Sequence, residues 1–200
     1  MKSVLISIKP KWCELIVSGK KTVEVRKTKP KIETPFKCYI YCTYGEGLIE
    51  ANDEFLPNHL IEQKVSKHKT WGNCCNGKVI GEFVCDKIYQ YSTTQNCKGV
   101  DITDEEITIA SCLTKKEIED YEFSAEAKDF CIYKIGVYGW HISDLVIYGK
   151  PRELSEFKKP CNHKNDCCTC DRYDYIGHRC YDEITRPPQS WCYVESEGEG

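Results

Sequence analysis

Apolar and polar positions change period several times along the 200-residue chain, and each change marks an element. Residues 3–8 (Ser-Val-Leu-Ile-Ser-Ile) are almost continuously apolar over too few positions for a helix, which predicts a short buried strand. Pro10 suits a first helical position. Trp12, Leu15 and Ile16 then recur at i, i+3 and i+4, and Gly19 after Ser18 is a stop signal. Thr22-Val23-Glu24-Val25-Arg26 alternates with period two. It reads as a half-buried strand with Val23 and Val25 on one face and Thr22, Glu24 and Arg26 on the other. Further strands are expected at Lys37–Thr43, Val79–Ile88, Ile132–Tyr138 and His141–Tyr148, with Gly139 at the junction of the last two, and at Ser190–Val194. Residues 44–77 read as a long excursion. Between 92 and 130 two capping-box patterns occur, Thr103-x-x-Glu106 and Thr114-x-x-Glu117, the second opening a short acidic helix. No internal repeat is present. Five or six strands with one early helix predict an α+β fold built on a small mixed barrel.

Composition narrows this picture. Hydrophobic residues make up 40% of the chain, and 13 Tyr, 6 Phe and 4 Trp supply burial, which excludes disorder throughout. No apolar run approaches the roughly 18 residues of a membrane span. Val4–Ile8 is too short for the core of a secretory leader, so the expected compartment is the reducing cytoplasm. The formal net charge of −3 hides an asymmetry: residues 1–40 hold ten Lys or Arg against three Asp or Glu, whereas residues 101–130 hold ten acids against three bases. One local basic surface is therefore available, but the chain is no general polyanion binder.

Fifteen cysteines are the compositional outlier, and an odd number excludes complete internal pairing. Cys38, Cys42, Cys85, Cys131 and Cys192 fall in strand-like runs, where thiols act as small hydrophobes. Another group is different. Cys161, His163, Cys167, Cys168, Cys170, His178 and Cys180 have the spacing C-x-H-x3-C-C-x-C-x7-H-x-C in a polar stretch without apolar residues for a core. Four such ligands in a tetrahedron bind zinc, which would organise residues 160–182 as an insert in a barrel formed by 1–159 and 183–195. The spacing does not choose four of the seven, and a thiol-rich loop ordered only by packing is the alternative.

Gly19-Lys20-Lys21-Thr22-Val23-Glu24-Val25-Arg26 has the pattern G-x-K-x-x-E-x-R between a helix and a strand. An amine, a carboxylate and a guanidinium on one concave wall can grip phosphate and read a base edge. Read by periodicity alone, the same residues also make a surface ion pair. The motif resembles that of the ASCH domain, a PUA-like family of small β-barrels. Leu5–Trp12, Val79–Phe83 and Tyr138–Leu145 resemble three further stretches of that family, in the same order. The resemblance implies a cleft suited to single-stranded RNA or a nucleotide, with Lys9, Trp12, Lys21, Glu24, Arg26, Trp140, His141 and Ser143 as binding candidates. Trp12 and Trp140 offer rings for stacking or for the core. His141 offers a titratable donor on the same strand face as Ser143. The superfamily includes an acetylcytidine amidohydrolase that works with a Lys, a Thr and a Glu. Lys21 falls at its Lys and Glu82 near its Glu, but Glu24 occupies the Thr position. A ribonuclease using Lys21 with Glu24 or Glu82 is the other catalytic reading. A third reading is a protein-interaction module that uses the acidic 101–130 segment and the cysteine-rich loop.

Overall fold

The structure is a computed structural model and describes residues 2–44, 75–94, 100–123, 136–160 and 181–195. Strand β1 (Lys2–Ile8) leads into helix α1 (Pro10–Val17), strand β2 (Val23–Arg26) and strand β3 (Phe36–Cys42). After the excursion come β4 (Lys78–Cys85), β5 (Ile88–Tyr91), α2 (Asp104–Ser111) and α3 (Lys115–Glu122). The chain ends in β6 (Val137–His141), β7 (Ser143–Arg152), a 3-10 turn (Leu154–Glu156), β8 (Lys158–Pro160), β9 (Tyr181–Glu183) and β10 (Trp191–Glu195).

The elements stack in layers. A five-stranded sheet has the order β10-β1-β3-β4-β7, and a three-stranded sheet the order β2-β6-β5. β1 is buried at six of its seven positions because both faces of its sheet are covered. Val4, Ile6 and Ile8 face α1 and the smaller sheet, whose Trp140 shares their cluster together with Ile142 just beyond β6. Leu5 faces the other way, with Tyr39, Phe157 and Ile184. The smaller sheet presents Val25, Tyr91 and Val137 to Ile107 of α2 and Ile118 of α3. Sandwiching of this kind turns short apolar runs into fully buried strands.

Five features depart from the sequence expectation. First, the described strands do not close into a barrel. The two sheets are continuous at Ile142, whose N–H donates to Thr22 O at 2.8 Å. At the opposite seam β2 meets β1 and β10 through side chains, not through a backbone ladder. Second, the 79–88 run is two strands. Asp86 and Lys87 turn the chain out of the larger sheet, and Lys87 O accepts from His141 N in the smaller one at 2.9 Å. Third, Gly139 is inside β6, and the strand junction is Ile142. A Cβ at 139 would stand 2.9 Å from Val23 Cγ1, so glycine is what lets β2 approach. Fourth, both capping boxes open helices, not the second alone. Fifth, all four residues of β2 are buried, so its polar face looks into the protein.

The end of α1 matches its signal: Gly19 has φ +72° and donates to Ile16 O at 2.9 Å, a left-handed stop that a side chain would strain. Among the described residues no helix is long and apolar enough to cross a membrane. Residues 161–180, with all seven proposed zinc ligands, lie outside the described residues, as does Cys131.

Candidate nucleic-acid interface

The seam that the strands leave open is a cleft of about 950 Å³. Three walls form it. Ser7, Lys9 and Trp12 come from the end of β1 and the start of α1; Leu113, Glu117 and Tyr121 come from α3 and the turn before it; Pro187–Ser190 come from the segment before β10. Lys21, Glu24 and Arg26 make the floor, with Lys27 and Thr28 leading outward.

The turn after Gly19 sets Lys21 on the C-terminus of α2. Thr22 N donates to Ala110 O at 2.8 Å, and Lys21 Nζ donates to Ser111 O at 2.7 Å. An ammonium there satisfies a terminal carbonyl and complements the helix dipole. Lys21 Nζ also stands 3.3 Å from Glu24 Oε2 and 5.2 Å from the centre of the Trp12 ring. Glu24 Oε1 is 2.9 Å from Arg26 Nη2, which donates in addition to Ser7 O at 2.6 Å. The carboxylate thus bridges two cations, one on each oxygen.

All three side chains are nearly enclosed, with 2% (Lys21), 8% (Glu24) and 10% (Arg26) of their surface exposed. A surface pair exchanging with water is therefore not what these residues form. Two formal positive charges face one negative. Arg26 Nε is buried with no hydrogen-bond partner among the described residues, and Nη1 reaches only Ser190 Oγ, at 3.5 Å. Lys21 and Glu24 are spent on each other, on Ser111 and on Arg26. Arg26 is the member with donor capacity left for an anion.

Aromatic surface stands on two sides of this floor. Trp12 is partly exposed beneath Lys11, whose Nζ is 4.4 Å from the ring centre. Tyr121 is 37% exposed, and Lys27 Nζ lies 5.1 Å from its ring centre. Glu117 is held in place by its capping box. The bonds it accepts from the Thr114 N–H and hydroxyl keep its carboxyl below the usual range.

The other sequence candidates lie elsewhere. Trp140 is fully buried, edge-on to Phe36 at 5.8 Å and 5.9 Å from Trp191, so it is a core residue. It pairs with Glu24 across β2 and β6, but its bulk fills the space between the sheets. His141 Nδ1 is 2.6 Å from Asp86 Oδ1. Burial pushes the Asp86 carboxyl up, and the bond to His141 leads the opposing effects that bring it below its ordinary value. Ser143 donates to Val84 O at 2.9 Å. Glu82 is on the larger sheet, where it accepts from Lys37 at 2.8 Å and from the Tyr148 hydroxyl at 2.6 Å. Burial raises its carboxyl, but these donors together lower it further, and burial with the Glu82 bond raises Tyr148. None of these four residues lines the cleft.

Sequence reasoning missed Ser7, Glu117, Tyr121 and Pro187–Ser190 as wall residues. The Thr114 capping box carried a signal for two of them. It places a helix over 115–122, on which positions 117 and 121 share a face. Nothing local marks the wall at 187–190, because its partners are more than 150 positions away in the chain.

Cys13, Cys38, Cys42 and Cys85 are free thiols in the core between the sheets, and Cys75 is buried in the same cluster. Burial raises Cys13 and Cys38 and pushes Cys85 up to about 12, which suits inert packing groups. Among the described residues no group of three or more His, Cys, Asp or Glu is arranged to hold a metal ion.

No curated protein matches the chain. Among solved structures it is similar to an ASCH protein from Zymomonas mobilis, at 18% identity and a TM-score of 0.47 over 96% of this chain and 87% of that one. A mutant of the same bacterial protein aligns at 16% identity with a TM-score of 0.47, covering 96% and 88%, and another at 16% with 0.43, covering 98% and 91%. The ASCH domain family model matches residues 6–133, well over half of the sequence and including the whole G-x-K-x-x-E-x-R motif, so the chain belongs to the ASCH domain family.

Proposed function

We propose that this ASCH domain binds unpaired RNA in the cleft at the open seam, with a backbone phosphate on Arg26 and a base against Tyr121 or Trp12. One observation carries the reading: a buried, hydrogen-bonded cluster with a formal surplus of positive charge forms the floor of a hollow with aromatic sides, and its Arg26 guanidinium keeps a donor, Nε, without a partner among the described residues. A buried donor without a partner costs about 1–3 kcal/mol, and an anionic oxygen removes that cost. A base stacked on an aromatic ring adds about 1–3 kcal/mol and needs no particular sequence. The volume lies near the top of the roughly 300–1,000 Å³ range of small-ligand sites, enough for one or two nucleotides and not for a duplex.

Glu24 differs from the role that the motif suggests on paper. With a cation on each oxygen, it orients Lys21 and Arg26 and does not present a free edge to a base.

The test is fluorescence anisotropy with a short labelled single-stranded RNA over a range of salt, with RNA integrity checked by gel afterwards. Affinity is expected to fall as salt rises. Arg26→Gln, confirmed as folded by circular dichroism, should weaken binding and reduce the slope of log K against log salt by about one. A folded Arg26→Gln protein with unchanged affinity and slope removes Arg26 from the interface. RNA cut by the unaltered protein, but not by a folded Lys21→Met variant, would favour the catalytic reading instead.

A further inference from the structure

We infer that Pro187–Ser190 is the specificity wall of this cleft, and that Ser7 is the positioning residue that locks it against Arg26. The wall lies outside the residues matched by the family model, which end at 133. The inference rests on the cleft being the RNA site.

Ser7 holds both sides of the seam. Its N–H donates to Ser190 O at 2.9 Å, and its hydroxyl donates to Pro188 O at 2.7 Å. Its own carbonyl accepts from Arg26 Nη2 at 2.6 Å. Three bonds from one almost fully buried residue thus place the segment and the guanidinium at a set separation. The two prolines have restricted φ and carry no N–H, so the segment offers few alternative bonds of its own. Its attachment falls to Ser7 and to the start of β10, where Trp191 Nε1 donates to Thr28 Oγ1 at 3.0 Å.

The outcome is directional. Ser190 Oγ stands at 3.5 Å from Arg26 Nη1, close enough to be held beside it and too long to be consumed by it. An anionic oxygen reaching the Nη1 end of the guanidinium would thus find a hydroxyl beside it. With Tyr121 lining the same hollow, the space takes a flat unpaired base and closes against a base pair. The preference for unpaired over paired RNA is what the wall supplies.

Binding of a labelled single strand and of a labelled hairpin of the same composition tests this. The unaltered protein should prefer the single strand. Ser7→Ala keeps the carbonyl that holds Arg26 and removes the hydroxyl that holds Pro188. It should lower single-strand affinity about two- to tenfold, shrink the preference over the hairpin, and leave the salt slope unchanged. Ser7→Thr returns a hydroxyl and should restore both quantities, which a general loss of stability would not do. Ser190→Ala, which keeps every backbone bond, should also weaken the single strand and covers the case in which Ser7→Ala fails to fold. Unaltered affinity and preference in the folded variants would overturn the role of the wall while leaving the cleft as the RNA site. Failure of the unaltered protein to bind either RNA would overturn the reading of the cleft, and this inference with it.

Discussion

Glu24→Gln is the sharpest perturbation available, because one atom changes and two buried cations lose their shared counter-ion. The carboxylate oxygens lie 2.9 Å from Arg26 Nη2 and 3.3 Å from Lys21 Nζ. At an effective dielectric of about 20, each contact is a gross attraction of about 5–6 kcal/mol, most of which offsets the cost of taking the ions out of water. An amide keeps one oxygen and turns an NH2 towards the other cation, so one favourable contact becomes a repulsive one. Breaking a buried pair in this way costs about 3–5 kcal/mol. For a chain of this size the unfolding midpoint should drop by about 6–20 °C. Thermal unfolding and urea titration both read this quantity. A loss below about 1 kcal/mol would mean that the carboxylate is screened like a surface group, and would refute the burial argument. Lys21→Met provides a cycle. If Glu24 acts as the bridge, the double variant should be more stable than the sum of the single losses, by about 0.5–3 kcal/mol.

Two further outcomes follow from the wall helix and from the carboxylates. Thr114→Ala removes the hydroxyl that accepts from Glu117 N at 3.2 Å and should cost about 0.5–2 kcal/mol, with faster amide exchange over 115–122; unchanged exchange there would refute the cap. Glu82, Asp86 and Glu117 all have carboxyls below their ordinary values in the folded chain, so each contributes stability above its unfolded pKa that is lost as pH falls through its folded pKa. The melting temperature should hold down to about pH 4 and decline below it, and a flat profile to about pH 2 would refute these assignments.

Several elements could be read directly from the chain because their causes are local. Pro10, the i, i+3, i+4 apolar set and Gly19 define α1 through contacts a few residues apart, and the two Thr-x-x-Glu pairs define the starts of α2 and α3 in the same way. The alternation of β2 correctly put Glu24 and Arg26 on one face. What alternation does not say is what that face meets. A polar face on a strand is ordinarily wet, but here β1, α1, α3 and the 187–190 segment enclose it, and a motif that reads as solvent-facing became a buried ion cluster. Trp140, His141 and Ser143 do not line the cleft, and for Trp140 the reason is related. Position 140 shares a sheet face with Glu24, yet the larger ring goes to the interior between the sheets, where Phe36 and Trp191 fill the space around it.

The sequence alone therefore determined the short-range matters: which residues form α1 and β2, where the capped helices begin, that Lys21, Glu24 and Arg26 arise within six positions of one another, and which family the motif resembles. Only the tertiary structure decided that the strands stop short of a closed barrel, that the open seam is the cleft, that Glu24 is saturated while Arg26 is not, and that Ser7 ties a segment more than 180 positions away to that guanidinium. The physical reason is range. Periodicity, caps and turns act over one or two helical turns of chain. Burial and hydrogen-bond satisfaction depend on which distant surfaces come together, and no local pattern encodes that meeting.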